Sequence, residues 1–315
     1  GWGGEGREGG GVGERGGGMG EGEGGGGGEA WGAGGAGGNG RGQGRGGGGV
    51  GALVDPAGGA EKFPRLRVVV MVLGSDGHSN EGWFDGVGLM QGMCVGEYIQ
   101  DEVVGIDMAD GHVRGVELAS GRAVECGIFV NAAGPRAALV AKMAGINIPV
   151  EARKRTNFLF DCMDAPKGDL PLMLDPTGVW CRPEGKYFLT GCSPIDDPEV
   201  AFDDFEPRYN EFENIIWPAL AARSKNFEAI KPVRFWSGHY AYNTLDQNAV
   251  IGPHPEIGNF MFANGFSGHG LQQSPAVGRA LAEMICFNEY RSIDFTPLGF
   301  ERIITKTPLL EHCVI

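Results

Sequence analysis

No apolar run in this chain approaches the roughly 20 residues that span a bilayer; the longest, Val68-Val69-Val70-Met71-Val72-Leu73, reads as a buried strand. Seven cysteines include no Cys-x-x-Cys pair, and the six histidines show no ligand spacing. Zinc and disulfide frameworks are therefore not expected, and small buried thiols in a reducing compartment are the simpler account. Positive charge is also scarce: 26 Lys and Arg stand against 40 Asp and Glu, for a net charge of −14. Phosphate-backbone binding needs clustered cations, so nucleic acid is not an expected partner. The opening residues carry several Glu and lack the Arg-rich amphipathic helix of a transit peptide.

What is abundant is glycine, 59 of 315 residues, and most of it precedes Gly59. Few apolar residues accompany it, so residues 1–60 are expected to be disordered. Gly4-Glu5-Gly6-Arg7-Glu8-Gly9 matches a dinucleotide fingerprint in spelling alone, since no strand precedes it and no helix follows. Gly40-Arg41-Gly42-Gln43-Gly44-Arg45 is reminiscent of an RNA-binding tract, but two arginines in a glycine run are more economically filler.

The remaining 250 or so residues suffice for one large core or two modest ones. Arg67 to Leu73 reads as a strand ending in a Gly74-Ser75-Asp76-Gly77 turn, and Leu89 to Val95 as the start of a helix. Glu102–Met108 and His112–Leu118 form a hairpin around Asp110-Gly111. Val124 to Ala132 reads as a strand, and Ala137 to Ala144 as a helix closed by Gly145. Between about 148 and 245 the character changes to short runs bounded by Pro, Gly and Asp: Thr156–Phe160, Gly178–Arg182 and Lys186–Gly191, with an amphipathic stretch near Tyr209 to Leu220.

One stretch organises the rest. Asn259-Phe260-Met261-Phe262 reads as a strand, Gly265-Phe266-Ser267-Gly268-His269-Gly270 as a glycine loop, and the following residues as a helix with Val277, Ala280, Leu281, Met284 and Ile285 on one side. Such a loop brings backbone close to a ligand, and the helix start favours electron-rich groups. Glycine loops of this kind also join strands to helices in α/β proteins that bind nothing there. A hydrolase elbow is excluded, because Gly-x-Ser-x-Gly needs glycine where His269 stands.

The loop Gly265–Gly270 resembles the C-terminal flavin loop of the D-amino-acid oxidase superfamily, which includes sarcosine and glycine oxidases and dimethylglycine dehydrogenase. Ile128-Phe129-Val130-Asn131-Ala132-Ala133-Gly134-Pro135 resembles the same superfamily's strand-to-loop segment beside the dinucleotide. Glu81–Asp85, Tyr242–Asn248 and Gly252-Pro253-His254-Pro255 are similar to a mitochondrial member linked to assembly of respiratory complex I. The resemblance covers roughly residues 63 to 315. It implies an α/β fold: an incomplete Rossmann-like FAD-binding domain, residues 61–149 and 246–315, around a mixed antiparallel-sheet substrate domain, 150–245.

FAD is the implied cofactor, held by Val103, Ala132, Ala133, Gly134 and the run Gly265, Phe266, Ser267, Gly268, His269, Gly270, Leu271 and Gln272. His269 and Gln272 would orient groups beside the ring, and Trp180 and Arg182 would meet the substrate. Arg153 and Arg155 are further candidates to anchor a carboxylate, although solvated strand charges fit all three arginines. Small residues at Ala132 and Ala133 would equally let a helix pack on a sheet. The strand–loop–helix that holds the FAD pyrophosphate is expected to be missing, its place taken by glycine-rich sequence. Several residues are also expected to be missing between Leu89 and Tyr98, through a shortened helix or an incomplete gene model. Relative to sarcosine oxidases, Gln272 stands where a loop lysine is, Leu189 near an oxygen-activating lysine, and His239 near the flavin-linking cysteine. Noncovalent FAD and slow reaction with oxygen follow from that pattern, which implies a dehydrogenase with an unknown electron acceptor or no turnover at all. The two function classes left standing are an FAD-dependent dehydrogenase on a small amine-like donor and a flavoprotein-derived assembly factor for complex I subunits, mitochondrial by resemblance alone; a fragment unable to hold FAD is a third outcome.

Overall fold

The computed structural model describes residues 50–67, 74–79, 86–93, 96–166 and 170–311. The strand expected over Val68–Leu73, the Glu81–Asp85 segment and both glycine-rich motifs before Gly49 lie outside these residues. In chain order come β1 (Val50–Val54), α1 (Pro56–Lys62), β2 (Gly74–Ser79), α2 (Gly86–Met93), β3 (Val103–Ala109), β4 (His112–Leu118), β5 (Ala123–Glu125) and β6 (Phe129–Asn131). Then follow α3 (Ala137–Met143), β7 (Val150–Cys162), β8 (Met173–Leu174), β9 (Trp180–Glu184), β10 (Tyr187–Gly191), α4 (Trp217–Arg223), β11 (Ile230–Asn243), β12 (Val250–Pro253), β13 (Phe260–Asn264), α5 (Gly270–Phe287) and α6 (Glu301–Thr305).

Residues 50–60, expected to be disordered, form a strand and part of a helix. β1 pairs antiparallel with β2, and α1 starts where Asp55 caps the Gly58 amide at 2.8 Å with Pro56 in the first turn. The Gly74–Gly77 segment, expected as a turn, is part of that ladder. The hairpin forms as read: Asp110 (φ +53°) and Gly111 (φ +73°) take the left-handed angles that a tight turn between twisted strands requires. Val124 to Ala132 is not one strand but two, in different sheets: β5 pairs with β4, and β6 pairs with β13.

β7 and β11 are the longest strands among the described residues, antiparallel from Asn243 opposite Val150 to Ile230 opposite Cys162. Sequence reading shortens β7 and misses β11, where Pro232 and Gly238 interrupt an otherwise strand-like run. The sheet order is β11-β7-β10-β9-β8. Every second residue of β7 is buried, so Phe158, Phe160 and Cys162 face a core with Phe188, Phe212, Ile216, Leu220 and Phe227. The helix over that core is not uniform: a π-helical turn, Phe212–Ile216, runs into α4.

A smaller sheet, β12-β13-β6, is buried on both faces. Val250, Phe260 and Phe262 join Ala137, Ala141, Val150 and Phe300 on one side, while Ile251 and Met261 meet Val277 and Leu281 of α5 on the other. α5 buries the stripe expected of it except at its end, where Ile285 is exposed and Glu283 is buried.

Candidate functional site

Strands β6 and β13 are the one parallel pair among the described residues, with Asn131 opposite Phe262. Each runs into a glycine turn that opens a helix: Gly134 before α3, and Gly265 to Gly268 before α5. The two motifs, more than a hundred residues apart, therefore meet at the carboxyl ends of adjacent parallel strands, where α/β sheets hold ligands.

Two buried asparagines fasten the turns together. Asn264 Nδ2 donates to Asn131 Oδ1 at 3.3 Å, and that oxygen also accepts from the Ala133 amide at 3.2 Å. Asn131 Nδ2 donates to the Ala137 carbonyl at 2.9 Å, tying the start of α3 to the strand end. Asn264 Oδ1 is buried without a partner among the described residues.

The second turn is pinned to the end of β11. Ser267, fully buried at φ +46°, donates its amide to Ala241 at 2.9 Å, and its hydroxyl accepts from the Asn243 amide at 3.0 Å. Gly265 is glycine for packing: a Cβ there would lie 3.1 Å from Val150 and 3.3 Å from Asn243. Gly134 (φ +55°) and Gly268 (φ +97°) differ, because a Cβ on either would meet nothing within 4 Å. Their backbone lies open to an approaching ligand.

α5 begins immediately after. Its first internal bond runs from the Gln273 amide to the His269 carbonyl at 3.2 Å, so the amides of Gly270, Leu271 and Gln272 have no acceptor in the helix. They sit at the positive end of an 18-residue helix. Pro275 supplies no amide to the Leu271 carbonyl, and the Ser274 hydroxyl donates to that oxygen instead, at 2.9 Å. Phe266 packs beneath Gly270, whose Cβ would come within 3.3 Å of it. His269 is half-buried, while Leu271 and Gln272 are exposed. α2 lies beside them, with Gly86 packed on Leu271.

Ala132 and Ala133 are exposed beside Gly134. Val103 opens β3 nearby, since the carboxylate of Glu102 lies 3.6 Å from Arg136 in the Gly134–Arg136 turn. The structure thus brings the loop residues, the alanine turn and Val103 to one end of the molecule.

Trp180 and Arg182 stand elsewhere. They share the open face of the large sheet with Arg153 and Arg155, because Arg182 is opposite Leu189, which is opposite Leu159. Leu159 is six residues along β7 from Arg153, about 20 Å at 3.3 Å per residue. Trp180 packs on Gly191, and Arg182 pairs with Glu184. Nearer the loop, Arg153 opposes Tyr240 and Glu151 opposes Tyr242. Arg155 holds Asp197 through two bonds of 2.7 and 2.9 Å and donates to the Tyr240 hydroxyl. Burial pushes that hydroxyl up to about 12. Leu189 is buried, and His239 is engaged by the Asp204 carbonyl at 2.6 Å and the Phe205 ring at 4.3 Å.

Sequence reading gave no site role to Glu151, Tyr240, Tyr242 or Asp197. The alternation Glu-x-Arg-x-Arg in a strand signals one shared face, and Tyr-x-Tyr does the same. Asp197 gave no local signal, since its partner is 42 residues away.

A family model described as FAD dependent oxidoreductase (DAO) matches residues 37–284. FAD-dependent oxidoreductase domain-containing protein 1 of Bos taurus is 37% identical over 300 residues, which cover 84% of this chain and 62% of that protein. The chain therefore spans about three fifths of that relative's length. Among solved structures, L-proline dehydrogenase from P. horikoshii aligns with a TM-score of 0.72 at 23% identity, covering 82% of this chain and 70% of that one. Glycine oxidase from Geobacillus kaustophilus aligns at 0.67 and 20%, covering 80% and 67%. The mixed α/β fold with antiparallel sheets is that of these neighbours, and FAD is the family's cofactor. The open glycine backbones at Gly134 and Gly268 and the unpaired amides of α5 fit such a group. By its sequence match and its fold, the chain belongs to the FAD dependent oxidoreductase (DAO) family.

Proposed function

We propose that this chain forms most of an FAD-dependent dehydrogenase acting on a CH–NH donor, with FAD bound noncovalently. The observation that carries the reading is the meeting of two glycine turns at the ends of β6 and β13, beside the amides of Gly270, Leu271 and Gln272. When bound, FAD would supply the redox chemistry, acceptance of a hydride equivalent from the carbon next to the amine nitrogen. The chain's own part would be positioning: Gly134 and Gly268 would admit the cofactor, the α5 amides would offer it hydrogen-bond donors, and His269 and Gln272 would orient groups beside it. A donor would sit against the Tyr240 and Tyr242 end of the large sheet. Leu189 offers no charge to activate oxygen, which favours another acceptor, and His239 has no thiol to link a flavin.

The test is an absorbance spectrum of the purified chain between about 350 and 500 nm, with FAD titration of colourless material. Flavin bands that survive desalting and are released by acid support the reading. A chain that takes up no added FAD sinks it for this polypeptide.

A second reading, a mitochondrial assembly role with respiratory complex I subunits, rests on exposed apolar side chains along the edge strand β11, Phe235 on one face and Trp236 on the other. Val233, Phe235 and Trp236 are all at least 40% exposed, and Tyr209 meets Phe235 edge-on at 4.9 Å. An edge strand bearing exposed apolar side chains offers a partner chain a place to pair. Copurification of complex I subunits from mitochondria, lost on Phe235→Asp with Trp236→Asp, would support it; unchanged recovery would not.

A further inference from the structure

The proposed donor site contains arginines, yet each of them is already engaged. Glu151, Arg153 and Arg155 occupy alternate positions of β7 and share its open face with Tyr240 and Tyr242, next to where Ser267 binds Ala241 and Asn243. Arg153 donates to Glu151 at 2.5 Å and lies 4.9 Å over the Tyr242 ring. Arg155 is held by both oxygens of Asp197 and lies 4.4 Å over the Tyr240 ring. Farther along the face Arg182 is matched with Glu184. The two arginines and two carboxylates near the loop cancel in charge.

A substrate carboxylate is recognised by the planar fork of a guanidinium, through two parallel charged bonds. Here a carboxylate of the protein itself fills that role at Arg155 through two bonds, while at Arg153 Glu151 takes one bond and the Nε is buried without a partner among the described residues. An internal partner competes at the high effective concentration that the fold imposes, so a free carboxylate at millimolar concentration loses. The aromatic rings and hydroxyls of Tyr240 and Tyr242 remain for contact with a donor.

Resting on the reading above of an amine-oxidising flavoprotein, we propose that Asp197 occupies the Arg155 fork and Glu151 pairs with Arg153 from within the chain, and that the donor is an amine without a carboxylate. Glu151 and Asp197 are thus specificity-determining residues. They exclude amino and imino acids from a face whose arginine content would otherwise admit them.

The experiment uses the full chain, incubated with FAD, and two probes that differ by one carboxylate: pyrrolidine and L-proline. Binding is read from the bound flavin spectrum, and acetate binding is read in parallel by calorimetry, which needs no flavin. The wild type is expected to respond to pyrrolidine and to show no saturable binding of L-proline or acetate. Glu151→Gln and Asp197→Asn each free one fork and should tighten carboxylate binding by about tenfold or more, with the gain abolished by adding Arg153→Met or Arg155→Met respectively. Two variants are used because either could fail to fold alone. Wild-type binding of L-proline as tight as that of pyrrolidine overturns the proposal. So does an absence of any gain in both folded variants, since the internal carboxylates would then not be what excludes the ligand. If the chain takes up no FAD, the flavoprotein reading fails, while the acetate arm still decides whether the forks are filled from within.

Discussion

At the scale of single residues, Ser267 illustrates how a site residue can act without facing a ligand. Its side chain is sealed in, and its hydroxyl satisfies a strand amide that nothing else reaches. Ser267→Ala leaves the Asn243 amide buried and unpaired, for an expected loss of about 1–3 kcal/mol by denaturant unfolding, with weaker FAD binding in titration. The cysteines give an independent check on burial. The thiol of Cys192 is pushed up to about 12, mainly by burial and secondarily by Glu211, and that of Cys181 is raised further by burial. Cys286 is exposed. Maleimide labelling at neutral pH, mapped by mass spectrometry, should therefore modify Cys286 well before Cys181 and Cys192, because only the thiolate of an accessible cysteine reacts.

At the scale of elements, α5 is secured at both ends by different devices. Ser267 holds the approach to its first turn, and Glu283 secures its far end. That carboxylate accepts from the Ser292 hydroxyl at 2.7 Å and from the amides of Arg291 and Ser292 at 2.8 and 3.0 Å. These bonds, the Ser292 hydroxyl first, hold its pKa down at about 2, against an ordinary 4.5. The folded pKa is lowered, so the stabilisation is fully present above about 4.5 and is lost as pH falls toward about 2. Glu283→Gln should lower the unfolding midpoint at pH 7, and its difference from wild type should shrink across that acid window. A difference that stays constant down to pH about 2 would contradict the assignment. The helix itself was legible in the sequence, because its apolar spacing is local. The burial of Glu283 was not, because all of its partners except Arg279 lie beyond the helix end.

At the scale of the whole molecule, the chain's C-terminal part is stitched back onto the segment between β11 and β12. Arg302 is 6% and Asp246 0% exposed at the side chain; they pair at 2.7 Å. Arg302 also donates to the carbonyls of Leu298, Gly299, Asn248 and Ala249. The Leu309 amide reaches the same Asp246 carboxylate, and the Glu311 amide its carbonyl. Arg302→Ala strands a buried carboxylate and several carbonyls, for an expected loss of about 3–5 kcal/mol in denaturant unfolding. A cost below about 1 kcal/mol would mean that water reaches the pair. Through Asn243 and Asn248 this clamp adjoins the glycine loop, so looser FAD binding should accompany the loss.

By itself the sequence determined what short-range rules govern: the hairpin at Asp110-Gly111, the strand–glycine–helix run from Phe260 into α5, and the helix ended by Gly145. In each, the deciding residues lie within a few positions of one another, where turn angles and apolar spacing act directly. Only the tertiary structure decided which of these pieces form a site. Asn131 meets Asn264, Arg155 meets Asp197, and Ser267 meets Asn243 through strand pairing and burial. β11, a 14-residue strand despite Pro232 and Gly238, exists because β7 pairs along its length, a partner supplied from some eighty residues away.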